Sequence, residues 1–173
     1  SVTILGGSVL RDCSSLTSIT VDVDNSAYSS VEGVLFDNLQ SVLIKCPEAR
    51  IGSFAVPDGV TTISDDAFLK CFGLTEVTIS NSVTSIGRRA FENCVGLEGV
   101  ALPRSLQSIG EYAFSGCSNL ISIAIPDSVE RIGGGAFSHC SRVTSVSIGE
   151  GVRRIENSTF ESCSILTNVS VGP

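Results

Sequence analysis

The chain has no methionine, no tryptophan and a single histidine, His139. One imidazole leaves no multi-histidine zinc site and no conventional Ser-His-Asp triad to assemble. Basic residues are scarce: 11 Lys and Arg stand against 18 Asp and Glu, a net charge of −7. That balance argues against a surface built to neutralise nucleic-acid phosphates or anionic lipid headgroups. No apolar run approaches the roughly 20 residues needed to cross a bilayer, so direct membrane insertion is not expected. Charged residues make up only 17% of the 173 and hydrophobic ones 42%, which excludes a disordered tail and supplies a core. The missing methionine and the lack of a secretory signal in the first residues suggest a mature product or a piece of a longer protein.

What is present is periodic. Cys71, Cys94, Cys117, Cys140 and Cys163 lie 23 residues apart, whereas zinc sites use short C-x-x-C-type spacings and a total of seven cysteines cannot pair completely. Cutting the chain at that period aligns Ile63, Ile86, Ile109, Ile132 and Ile155, and then Phe68, Phe91, Phe114, Phe137 and Phe160. Ala67, Ala90, Ala113 and Ala136 precede the phenylalanines, with Thr159 the exception. Val60, Val83, Leu106, Val129 and Val152 fill a further apolar column. Each repeat also carries an apolar-x-x-apolar-x-apolar signature, as in Leu74, Val77 and Ile79 or Leu120, Ile123 and Ile125. Its alternating β-branched end is strand-like.

One 23-residue unit cannot bury its own columns, but stacked units can. We therefore expect a β-rich solenoid of the α/β superhelix class, with one parallel strand ladder and a short helical or 3-10 turn at each Ala-Phe. The stacked cysteines read most simply as small buried hydrophobes, although coils this close bring neighbours within bridging distance. From Cys13 to Cys71 the spacing is 58 residues, so the array is interrupted there. Leu16, Ile19 and Val21 repeat as Leu39, Val42 and Ile44, and Ile51, Phe54 and Val56 follow only 12 residues later. This predicts eight strand cores, with irregular inserted coils at about 22–56, in a single domain spanning 1–173.

Blocks such as Leu97–Pro103 (LEGVALP), Ser105–Phe114 (SLQSIGEYAF) and Cys117 resemble the BspA-like leucine-rich repeats. Tyr28–Phe36 (YSSVEGVLF), Leu39–Pro47 (LQSVLIKCP) and Phe54–Val60 (FAVPDGV) are similar to a segment common in that family. The resemblance implies a curved leucine-rich-repeat solenoid, and for many members a surface or secreted location with roles in adhesion and protein binding. Where ordinary leucine-rich repeats place an asparagine ladder, this chain has Ser82, Ser105, Ser128 and Gly151, so backbone or hydroxyl groups must satisfy those turns.

We expect no catalytic, cofactor or metal site. His139 shares a variable column with Lys70, Asn93, Gly116 and Ser162. Asp22, Asp24 and Ser26 suggest a Ca²⁺ loop, but Ala27 stands where glycine is needed and Gly33 where glutamate is needed, so they read as turn residues. Asn157-Ser158-Thr159 and Asn168-Val169-Ser170 fit the glycosylation pattern, in columns that packing already dictates.

The candidate partner-binding positions are the variable ones. On the strand ladder they are Glu76, Thr78, Ser122, Ser145, Ser147, Asn168 and Ser170, interleaved with Gly99, Ala101 and Ala124 to form a flat, hydroxyl-rich face. A second cluster, Arg131, Arg153 and Arg154, would suit an acidic partner. The leading expectation is a non-catalytic module that binds protein, or glycan, at the cell surface. The alternative is an architectural or docking subunit, because neither terminal coil carries a polar cap and its ends invite further repeats or another subunit.

Overall fold

The computed structural model describes residues 2–6 and 9–172. An antiparallel pair comes first, β1 (Tyr28–Val31) and β2 (Val34–Asp37), and β2 also pairs antiparallel with β3 (Val42–Lys45). Glu32 and Gly33 form the β1–β2 turn at φ of 49° and 78°, positive values that match the twist of a tight hairpin. From β4 (Ile51–Ala55) onward, short and long strands alternate. They are β5 (Thr62–Ile63), β6 (Gly73–Thr78), β7 (Ser85–Ile86), β8 (Gly99–Ala101), β9 (Ser108–Ile109), β10 (Ser122–Ile125), β11 (Arg131–Ile132), β12 (Ser145–Ile148) and β13 (Asn168–Val171).

Stacking of successive coils turns this alternation into parallel ladders. The long strands form two, β4-β6-β8 and β10-β12-β13, and the short ones join β3 in β3-β5-β7-β9-β11, extended by the Ile132–Ile155 bridge. Register follows the 23-residue period, with Ile123 on Val146 and Val146 on Val169. The two long ladders do not join between β8 and β10. Strand β8 has three residues, opens on Gly99 and is followed by Pro103, which has no N–H to donate.

The Ala-Phe segments complete each coil, and here the expected helical or 3-10 turns are replaced by a further ladder of turns. In one coil the N–H groups of Ala67, Leu69 and Cys71 donate three residues back, to Ser64, Asp66 and Phe68. The intervening N–H groups of Asp66, Phe68 and Lys70 donate to the next coil, at Arg88, Ala90 and Glu92. Asp66 and Lys70 are left-handed, at φ of 57° and 59°, and the same two columns recur as Arg89 and Asn93, and as Gly135 and His139. A left-handed residue every fourth position aims alternate amides at the neighbouring coil and cannot propagate a helix.

The repeat columns form the core. Phe68, Phe91, Phe114, Phe137 and Phe160 stack face to face at centroid distances of 4.7, 4.9, 5.3 and 5.7 Å, within 9° of parallel. The Ile63, Ala67 and Val60 columns are buried beside them through the middle coils. The serine ladder takes the place of asparagine: the hydroxyls of Ser82, Ser105 and Ser128 donate to the Val60, Val83 and Leu106 carbonyls at 2.8, 2.7 and 2.7 Å. At Gly151 no side chain fits, since a Cβ would lie 2.1 Å from the Asp127 carbonyl oxygen.

The eight-strand ladder needs correction at its N-terminal end. Leu16, Ile19 and Val21 are half-buried but lie in no strand, and Leu39 and Ile51 are exposed, so in β4 only Phe54 of the expected core residues is buried, with Val56 just beyond it. In β3 the buried residues are Leu43 and Lys45, the opposite phase from Val42 and Ile44, and β3 belongs to the short-strand ladder. Antiparallel pairing with β2 sets that phase, because Phe36 stands opposite Leu43 and both are fully buried.

All seven cysteines are free thiols. The Cys94, Cys117 and Cys140 sulfhydryls donate to the Phe68, Phe91 and Phe114 carbonyls at 3.0, 3.1 and 3.2 Å. Burial raises their pKa, to about 12 at Cys140 and well above the ordinary value at Cys94 and Cys117. A thiol reagent at pH 8 should therefore react first with half-buried Cys13, more slowly with half-buried Cys163, whose pKa burial also raises, and with all seven cysteines after denaturation. Thiols ionise sooner in the unfolded chain, so stability is full below their ordinary value and falls as pH climbs through it, above about pH 8.5. Rapid native labelling of Cys117 would contradict the packing.

Candidate interaction surface

Alternation along the long strands separates core from surface. Val77, Ile123 and Val146 point inward and are buried, while their neighbours stand out in register. Glu76 lies beside Gly99 and Thr78 beside Ala101. Ser122 lies beside Ser145 and Asn168, and Ala124 beside Ser147 and Ser170. All seven long-strand candidates thus share one face, exposed except for half-buried Ser145. Because Gly99 and Ala101 carry almost no side chain, a groove of about 520 Å³ opens across β6 and β8, lined by Thr75–Thr78 and Glu98–Ala101. The groove offers hydroxyls and two carboxylates, beside the unpaired edge of β8.

Arg131, Arg153 and Arg154 lie elsewhere. Arg131 is on the short-strand ladder beside Ser108, and the Ile132–Ile155 bridge sets Arg154 next to it. Among the described residues, only Arg154 of the three has a carboxylate partner, Glu156, at 3.1 Å. The ten candidates therefore occupy two faces.

A third feature escapes sequence reasoning. A cleft of about 950 Å³ opens between the N-terminal segment (Leu5, Val9, Leu10, Arg11) and the start of the short-strand ladder, where Lys45, Asp65, Asp66, Arg88 and Arg89 line it. Its charges pair with one another. Arg11 lies 2.5 Å from Asp66, and Arg89 contacts both Asp66 and Glu92. The buried Lys45 ammonium donates to the Asp66 carbonyl at 3.1 Å and faces buried Glu48 at 3.8 Å. At the edge of this network a hydrogen bond from Lys70 holds the Asp12 carboxyl below its usual value. Arg11 and Asp66 are 55 residues apart and in no common repeat, so no spacing announces the cleft.

The remaining motifs resolve into local structure. His139 is exposed, and its left-handed backbone serves the turn ladder. The Asp22 carboxylate accepts the Asp24 N–H at 2.9 Å, a turn contact. The Thr159 hydroxyl is buried and donates to the Glu156 carbonyl at 2.7 Å, so the first glycosylation pattern is engaged in packing.

A sequence profile of the BspA type leucine rich repeat region matches residues 46–167 in six copies. Among solved structures, a leucine rich cell surface protein from Faecalibacterium prausnitzii is similar at a TM-score of 0.87 and 32% identity, covering 94% of this chain and 43% of that one. The pneumococcal vaccine antigen PcpA is similar at a TM-score of 0.86 and 25% identity, covering 90% and 39%. A leucine rich repeat protein from T. pallidum is similar at 0.63 and 27%, covering 88% and 82%. The chain thus spans less than half the length of the first two. No match among curated proteins reaches significance. The repeats, their register and the profile together place this chain in the BspA-type leucine-rich repeat family.

Proposed function

We propose that the chain is a non-catalytic interaction module that binds a protein partner through its long-strand face at the cell surface. The observation that carries this reading is the register itself, which sets Ser122, Ser145 and Asn168 in one column and Ala124, Ser147 and Ser170 in another. Short uncharged side chains let a partner backbone approach closely, and hydroxyls offer hydrogen bonds at little cost in side-chain entropy. Similarity to a cell surface protein and to a vaccine antigen supports the location. Adhesion through a glycan would use the same hydroxyls.

The test is a screen of the chain against arrayed extracellular proteins and glycans, followed by Ser122→Arg and Ser145→Arg on each hit. We expect binding to fall about tenfold or more in either variant, with thermal melting unchanged. Hits that ignore both variants, or a turnover activity in the absence of any hit, would overturn the reading.

A further inference from the structure

We infer that Arg131, Arg153 and Arg154 form a second contact site, which takes the carboxylates of an acidic segment in a protein partner. This site lies on the short-strand side of the coil and does not depend on the long-strand face.

Among the described residues, cations are distributed unevenly. Arg11, Lys45, Arg50, Lys70, Arg88 and Arg89, all before residue 90, lie within 4.0 Å of a carboxylate. Of the five arginines that follow, only Arg154 does. Arg142 instead rests on the Asn119 amide oxygen at 3.3 Å, and Arg104 stands in another column. Arg131 and Arg153 have no carboxylate within 4.0 Å among the described residues, and both adjoin Arg154, Arg131 across the Ile132–Ile155 bridge and Arg153 along the chain.

Their placement gains the fold nothing. In earlier coils the column of Arg131 and Arg154 holds Thr62, Ser85 and Ser108, and the Ser108 hydroxyl lies 3.1 Å from that of Ser85. Replacing small hydroxyls with two arginines one strand spacing apart, about 4.8 Å, sets like charges side by side, which is unfavourable. Both side chains are exposed, so packing does not require them. Glu156 holds the Arg154 guanidinium, leaving those of Arg131 and Arg153 open.

The chemistry of the site selects the partner. A guanidinium is a planar fork that matches a carboxylate with two parallel hydrogen bonds. Outward side chains of an extended segment are about 6.6 Å apart, so successive acidic residues can address adjacent arginines. The flanking carboxylates of Glu130 and Glu156 disfavour a densely sulfated glycan more than an extended acidic peptide, which presents only every second side chain to the site.

The test uses fluorescence anisotropy with a labelled hexaglutamate peptide in roughly 50 mM salt, hexaglutamine as neutral control and a heparin oligosaccharide as the competing class. Hexaglutamate should bind the wild-type chain, and the Arg131→Gln/Arg153→Gln variant should lose about tenfold in affinity. The Arg104→Gln/Arg142→Gln variant changes net charge equally and should bind as wild type. Absence of hexaglutamate binding, equal loss in both double variants, or tighter binding of heparin than of hexaglutamate would overturn the inference. The long-strand proposal would stand in each case, because its own variants lie on another face.

Discussion

Replacing Phe114 with alanine should destabilise the chain by about 3–5 kcal/mol, read as a lower midpoint in urea. The Phe114 ring is fully buried, 4.9 Å from Phe91 and 5.3 Å from Phe137, and within 4° of parallel to both. Removing it opens a void between coils whose backbones are tied together on both sides. Phe91 N–H donates to the Ala113 carbonyl and Phe114 N–H to the Ala136 carbonyl, each at 2.7 Å, so collapse into the void would break ladder bonds. In a stacked array, stability is roughly the sum of each coil's own stability and its interfaces, and this residue contributes to two interfaces. Phe114→Leu keeps most of the volume and should cost markedly less. A loss below about 1 kcal/mol for the alanine variant would mean that the stacked rings do not hold the coils together.

The second large effect concerns a residue with no side chain. Gly87, Gly110 and Gly133 occupy one column, just after β7, β9 and β11. A Cβ on Gly133 would lie 2.4 Å from the Glu111 amide nitrogen and 2.7 Å from the Glu111 Cα. At Gly110 it would lie 2.5 Å from the Arg88 nitrogen. The obstacle is the backbone of the preceding coil, which cannot rotate aside, so the coils would have to separate. Where Glu156 takes the glycine position, the short-strand ladder thins to the single Ile132–Ile155 bridge. We expect Gly133→Ala to cost about 3 kcal/mol, the upper range for overpacking, or to prevent folding. Gly99→Ala is the matched control: nothing lies within 4 Å of its added Cβ, so stability should be unchanged or slightly raised. Equal behaviour of the two variants would show that close approach of the coils does not set the glycine column.

The solenoid was legible from the chain because stacking applies one packing requirement to every coil. Phe91, Phe114 and Phe137 meet the same environment, so the same residue recurs at the same spacing. The long-strand face was legible for the complementary reason: residues between buried ones in a strand must point outward. The glycine column was equally visible, as Ile-Gly in three consecutive repeats, but its meaning depends on how near the previous backbone comes. Helical turns at Ala-Phe were a reasonable local expectation. They fail because alternate amides find partners in the next coil, a contact no single repeat contains.

Periodic residues alone therefore determined the fold class, the core columns and the outward register from β6 onward, since each of these follows from one coil lying on the next. Tertiary structure decided what does not repeat. The β1–β2 hairpin reverses the phase of β3, ion pairs between residues far apart in the chain build the N-terminal cleft, and the arginines are set on a different face from the serines. The physical reason is common to all three. Each depends on one particular pair of segments meeting in space, and a contact made only once leaves no period in the sequence.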